Sequence, residues 1–275
     1  MSDADVRVWV CVKWISTDDD RRDGGVSLAD EAALELALRI GEHAGADVGV
    51  ATLGGIAAEA TLRHALALGA ARAVRIDADP ALDSSDVAAA LAEVVRDAAL
   101  VVCGAYSVDR GTGSVPAFIA AELGARQALG LVEVVPIEAV GAGAAITLRA
   151  TRRLDGGRRE RVVVDEPAVV SVEGAVARLR RASLPATLAA RHHDVEVVSG
   201  PIADVHDETI VRPYRPRARV LAAPQGDTAL DRVRALTDAG GGASAAGETV
   251  VLDPPAAAAH VLEMLRNWGY IDAGR

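Results

Sequence analysis

The chain has 275 residues, 51% of them hydrophobic, and a formal net charge of −10. That charge excludes nonspecific nucleic-acid binding, which needs a basic face, and no uninterrupted apolar run reaches the ~18–20 residues of a membrane-spanning helix. Two cysteines in apolar runs exclude a disulfide framework, and the acidic opening MSDADVRVWV lacks the basic region of a signal peptide, so a reducing, cytoplasmic setting is expected.

The first 125 residues alternate strand and helix. VRVWVCV (6–12) is strand-like and runs into Lys13, the one lysine of the chain. Ala29–His43 carries apolar residues at helical spacing, with Ser27 as N-cap and acids in the first turn, as the helix dipole favours. ADVGVATLG (46–54) reads as a strand, Ala57–Leu68 as a helix closed by Gly69, ARAVRID (71–77) as a strand, and Ser84–Arg96 as a helix capped by Ser84 or Ser85. The apolar run Leu100–Cys103 predicts a fourth buried strand ending at Gly104. A polar loop follows with Ser107, Asp109, Arg110, Gly111, Thr112, Gly113 and Ser114. Pro116 then sits in the first turn of a helix that Gly124 closes. Apolar strands alternating with helices imply an α/β fold, a parallel sheet with helices on both faces. Ligands of such sheets bind at the carboxyl ends of the strands, at the switch point.

A strand that opens through a glycine-bearing loop into a helix aims backbone N–H groups and dipole charge at one spot, which favours phosphate. The 104–116 loop matches neither GxxxxGK[ST] nor GxGxxG. The residues alone leave a phosphate-binding turn and an ordinary βα connection both open.

After Gly124 the pattern changes to strands with little helix between them: GLVEVVPIEAV, AAITLRAT, RRERVVV and PAVVSVE, with LDGG (154–157) as the turn of a hairpin over 145–165. Periodicity fades from Ala177 to Val198, which carries RLRR, SLP and ARHH and reads as an exposed connecting arm. Residues 199–217 are turn-rich. A small α/β unit follows: ARVLAAP (218–224), Ala229–Thr237, a glycine-rich linker (240–247), ETVVLD (248–253) and Pro255–Asn267. The expected division is 1–176, an α/β domain with a β-rich extension; 177–217, a connecting arm; and 218–275, the small unit. The histidines show no metal-ligand spacing, and neither CxxC nor GxSxG occurs, so zinc, iron–sulfur and esterase chemistry are not expected. The arginines 149, 152, 153, 158, 159 and 161 flanking the hairpin form either a solvated face or a subunit contact.

Five segments taken in order resemble the beta subunit of electron transfer flavoproteins over residues 6–195. They are VCVK (10–13), DEAALELALR (30–39), EATLRHALALGAARA (59–73), the G-x-x-x-x-D-x-x-T-G of 104–113, and SLP (183–185). The resemblance implies a Rossmann-like, adenine-nucleotide-binding fold in a heterodimer whose alpha subunit holds most of the FAD. It implies an electron carrier rather than an enzyme, with AMP, or in a subset a second FAD, buried in the beta subunit. The family's nucleotide contacts map onto Cys11, Val12, Lys13, Ser27, Asp109, Arg110, Gly111, Thr112, Gly113 and Ser114, and Gly104, Ala105 and Tyr106 are expected in the same nucleotide crevice. The segment Ser183-Leu184-Pro185 maps onto the loop that anchors flavin-dependent dehydrogenases, with Leu184 as the apolar anchor.

The chain departs from the family in carrying Ser27-Leu28 for Asn-Pro, in a shorter 109–113 loop with Arg110 added, and in Arg191, His192 and His193 for a lysine-rich tail. These departures suggest a divergent actinobacterial branch, the candidate being the one associated with the redox carrier mycofactocin. Two other readings of such a sheet are a stress-type nucleotide sensor and an adenine-nucleotide-hydrolysing or adenylylating enzyme. The latter needs a signature such as SGGxDS after the first strand, which CVKWIST does not supply.

Overall fold

The computed structural model describes residues 6–16, 24–79, 82–137, 145–201, 226–237, 250–268 and 270–271. In chain order, β1 (Val6–Cys11) is followed by a small ribbon of β2 (Ile15–Ser16) and β3 (Gly24–Gly25), then α1 (Leu28–Ala44) and β4 (Asp47–Leu53). A 3-10 turn at Ile56–Ala58 leads into α2 (Glu59–Leu68), then β5 (Arg72–Asp77), α3 (Ser84–Val94), β6 (Leu100–Gly104) and α4 (Val115–Leu123). The chain continues through β7 (Arg126–Pro136), β8 (Thr147–Arg153), β9 (Arg159–Asp165), β10 (Ala168–Val172), α5 (Leu184–Ala190) and β11 (Glu196–Ser199).

All these strands except the ribbon join one sheet, in the order β11-β5-β4-β1-β6-β10-β7-β8-β9. From β11 to β7 every pairing is parallel, and β7, β8 and β9 pair antiparallel. The two-residue period of the strands sorts the core into two layers. Val8, Val10, Val50 and Val102 point to one face, where α1 and α2 bury Leu36, Ile40 and Leu62. Trp9, Cys11, Val74, Val101 and Cys103 point to the other, where α3 and α4 bury Leu91 and Ile119. The expected α/β sheet covered on both faces is therefore present.

Local chemistry sets the helix ends. Ser27 Oγ accepts from the Asp30 N–H at 3.1 Å, and the Asp30 carboxylate accepts from the Ser27 N–H, a reciprocal capping box. Gly45 ends α1 at φ 61°, a left-handed conformation that costs glycine little. The expected serine cap of α3 is corrected: Asp83 occupies that position, and its side chain makes no capping hydrogen bond.

The β-rich stretch continues the sheet, because β10 returns between β6 and β7 and extends its parallel part. Leu131, Leu148 and Val164 of β7, β8 and β9 consequently join the same buried layer as α1. The stretch read as an exposed arm also has regular structure. Ser183 caps α5, which packs on α2, and β11 pairs in register with β5 from Glu196↔Val74 to Ser199↔Asp77.

The chain divides into two compact units, Met1–Thr209 and Ile210–Arg275. The second contains α6 (Ala229–Thr237) and α7 (Pro254–Asn267). Val250–Asp253 forms no strand. The expected strand at 218–224 and linker at 240–247 lie outside the described residues.

Candidate functional site

From β1 the chain builds outward to β4 and β5, then returns to place β6 on the other side of β1. After β1 it leads to α1 on one face; after β6 it leads to α4 on the other. The carboxyl ends of β1 and β6 thus open onto a crevice. A cavity lies there, about 790 Å³ counting its open mouth. Cys11 and Cys103, partners on one rung of the β1–β6 ladder, line its floor. Leu53, Val87 and Leu91 supply further apolar wall, and Lys13, Ser84, Tyr106, Ser107, Arg110 and Thr112–Pro116 are also in the lining.

The 105–114 loop is held by its own backbone. The Ala105 N–H donates to Val172 O at 2.9 Å, and the Gly111 N–H to Ser107 O at 2.9 Å. Gly113 sits at φ +60°, where a Cβ would come within 2.4 Å of Ala105 O, so position 113 excludes every side chain on two counts. Beyond it, Ala117 and Phe118 donate to Ser114 O. Among the described residues, the N–H groups of Thr112, Gly113, Ser114 and Val115 find no acceptor. Pro116 has no N–H to add. Four N–H groups without a protein acceptor thus belong to cavity-lining residues at the opening turn of α4, where an anion could accept from them.

The charged groups are arranged around that turn. Lys13 Nζ donates to Asp109 Oδ2 at 2.5 Å, tying the end of β1 to the loop after β6. Burial works against the Asp109 carboxylate. Hydrogen bonds from Lys13, Ser107 and the Arg110 N–H outweigh it and hold the pKa down at about 2. Arg110 donates from Nη1 to Leu82 O at 2.7 Å, bridging the loop to the approach to α3. Below them Asp30 is buried, and desolvation pushes its pKa up to about 6 against hydrogen bonds from Ser27 and from the Lys13 and Gly104 backbones. One carboxyl therefore links the N-terminus of α1 to the ends of β1 and β6. Burial and the hydrogen bond with Cys11 raise the Cys103 thiol well above its ordinary range, the Cys11 bond being the larger effect.

Of the residues singled out from sequence, Cys11, Val12, Lys13, Gly104, Tyr106, Arg110, Thr112, Gly113 and Ser114 converge on the cavity. Ser27, Ala105, Asp109 and Gly111 do not line it. They brace it through the capping box, the Val172 and Ser107 backbone bonds and the Lys13 pair. Sequence reasoning missed Asp30, Leu53, Ser84, Val87, Leu91, Cys103, Val115 and Pro116. Ser27-x-x-Asp30 is legible as a capping box, but nothing in its spacing places the carboxyl under a crevice. Leu53, Val87 and Leu91 carry no signal beyond ordinary core periodicity.

Ser183, Leu184 and Pro185 stand apart from this lining, at the start of α5. Ser183 Oγ accepts from the Ala186 N–H at 3.3 Å. Leu184 is 71% exposed, and Leu188, one turn on and also missed from sequence, is 46% exposed. The pair makes an apolar ridge on the helix. Among the described residues, no cluster of His, Cys, Asp and Glu could hold a metal ion, and no helix is long and apolar enough to cross a membrane.

Fold and crevice together define a doubly wound α/β protein with a cavity at its switch point. The model of the electron transfer flavoprotein domain matches residues 16–203. The chain is 30% identical to Protein FixA of Bradyrhizobium diazoefficiens over 230 residues, 76% of this chain and 78% of that protein. It is 31% identical to the electron transfer flavoprotein subunit beta of Syntrophomonas wolfei over 215 residues, 72% of this chain and 82% of the relative. To the corresponding subunit of Bacillus subtilis it is 27% identical over 223 residues, 77% of this chain and 84% of the relative. The chain belongs to the electron transfer flavoprotein family, in its beta-subunit branch. Its role is that of an electron carrier, not an enzyme.

Proposed function

We propose that the chain is the beta subunit of a cytoplasmic heterodimeric electron transfer flavoprotein. It binds AMP, or a second FAD, in the β1–β6 crevice and helps an alpha subunit hold the electron-carrying FAD. The observation that carries the nucleotide assignment is the row of unpaired N–H groups at Thr112–Val115 beside an apolar wall. The donors suit a phosphate, and Leu53, Val87 and Leu91 suit a flat, weakly polar base. Lys13 and Arg110 add positive charge, while Asp109 fixes Lys13 and orients the loop. These residues fit an adenine nucleotide without any metal ligand.

FAD, when bound, supplies reversible one- and two-electron chemistry, and the protein's part is position, electrostatics and docking. The exposed Leu184–Leu188 ridge on α5 is the surface offered to flavin-dependent dehydrogenases, which deliver electrons in transient encounters.

The test is co-purification of the chain with its flavin-bearing companion, followed by acid release and mass spectrometry of bound nucleotides. We expect a flavin absorbance band and an adenine nucleotide in addition to the shared FAD. Arg110→Ala is expected to lower retention of that nucleotide about tenfold without altering the fold. A colourless complex with no adenylate overturns the reading, and equal nucleotide content in variant and parent removes Arg110 from it.

A further inference from the structure

Arg180 lies on the strap between β10 and α5, in a stretch without periodic pattern. Its guanidinium reaches two carboxylates of α1. Nε donates to Glu35 Oε2 at 2.9 Å and Nη2 to Glu35 Oε1 at 3.2 Å, while the Arg180 backbone N–H donates to Glu35 Oε2 at 3.0 Å. Nη1 and Nη2 also donate to the two oxygens of Glu42. Glu35 is 3% exposed and takes a further bond from Arg39 Nε at 2.7 Å. A buried carboxylate is costly unless paired and hydrogen-bonded, so Glu35 demands a cation on the strap at this point. Both oxygens of Glu35 are occupied, and the planar fork of arginine spans two carboxylates as a lysine ammonium cannot.

The clamp closes three residues before the cap of α5. Ser183 begins the helix, Leu184 is its first residue, and α5 has only 7 residues. So short a helix does not hold itself in water and takes its order from its anchorage. Two anchors are present: packing of α5 on α2, and Arg180 on α1.

We propose that Arg180 is the positioning residue of the docking helix: by locking the strap onto Glu35 and Glu42 it sets the place and order of α5, and so the pose of the Leu184–Leu188 ridge. The functional half of this inference rests on the reading of α5 as the dehydrogenase-docking surface; the structural half does not. Arg180 does not line the crevice, and it acts through the helix it orders.

Amide hydrogen exchange on the full chain tests it directly. In Arg180→Gln, the amides of 184–190 are expected to exchange about tenfold faster or more, while those of β1 and β6 stay within about twofold of the parent. Arg180→Lys restores part of the protection. Glu42→Gln removes one exposed partner, leaves the buried one and is safe for folding; it is expected to speed exchange in the same segment by a smaller factor. Exchange over 184–190 at the parent rate in both Arg180→Gln and Glu42→Gln overturns the proposal, as does a rise spread equally over the whole sheet.

A second arm measures reduction of the co-purified complex by the flavin-dependent dehydrogenase that reduces the parent. Arg180→Gln is expected to raise KM about tenfold with kcat within about twofold, and Leu184→Ala to raise KM without changing exchange. An unchanged KM for Leu184→Ala removes the docking reading, and the exchange arm still decides the role of Arg180.

Discussion

Asp30 lines the crevice and Asp109 braces it, with opposite electrostatics. The folded pKa of Asp30, about 6, lies above its ordinary 3.8. Its neutral form is the favoured one in the fold, so its stabilising contribution is fully present below 3.8 and is lost as pH rises through about 6. Nucleotide-free protein should therefore lose about 2 kcal/mol relative to Asp30→Asn between pH 4 and pH 7.5, read by urea unfolding at each pH. A pH-independent difference between the two would contradict the burial argument. Asp109 runs the other way. Its folded pKa of about 2 gives stability that is present above 3.8 and lost as pH falls through 2. Gly113→Ala tests the loop between them. A Cβ at φ +60°, 2.4 Å from Ala105 O, forces the 105–114 loop to shift. We expect a cost of about 1–3 kcal/mol in thermal unfolding and loss of bound nucleotide from the purified protein. At this scale the sequence shows residue types but not proximity. Lys13 reads alone as a solvated lysine, and only the return of the chain to β6 brings Asp109 to it. Cys11 and Cys103 read as two separate core residues, and only the ladder sets them on one rung.

Helices α1 and α5 show what local pattern specifies and where it stops. The extent of α1 is legible from Ser27, the acids of its first turn, its apolar spacing and Gly45. Its two working positions are not, because Glu35 looks like any surface acid in an amphipathic helix. It is buried because the strap from β10 crosses it, an event 145 residues away in sequence. The α5 segment was read as irregular, and for a physical reason: its 7 residues are too few for periodicity to register, and its order comes from contact with α2 and α1. Leu188→Ala should weaken dehydrogenase docking as Leu184→Ala does, raising KM severalfold, while Thr187→Ala should not. Equal effects of Leu188→Ala and Thr187→Ala would remove the ridge from the docking surface.

Across the unit Met1–Thr209, the nine-stranded sheet makes the parallel core and the antiparallel extension one structure. Leu148 on β8 and Leu62 on α2 lie in the same buried layer, although α2 packs on β4 and β5, which sit across β1 from β8 in the sheet order. Leu148→Ala and Leu62→Ala should each cost about 2–5 kcal/mol and shift a single unfolding transition of this unit, followed by far-ultraviolet circular dichroism in urea. A separate early transition for Leu148→Ala would show that the extension folds on its own.

The kind of protein is legible in the linear chain. Alternating apolar strands and helices, two-residue and helical periods, capping residues and the glycine-bearing loop after the fourth strand are local properties, and local chemistry is what a linear chain displays. The five ordered segments carried the family for the same reason, since each is a short run of residues. Where β10 returns, which charges meet, which carboxyls are buried and how the strap is pinned emerge only once the chain is folded. Those outcomes depend on chain crossings between residues far apart in sequence, and on a desolvation cost that does not exist until the crossings exclude water.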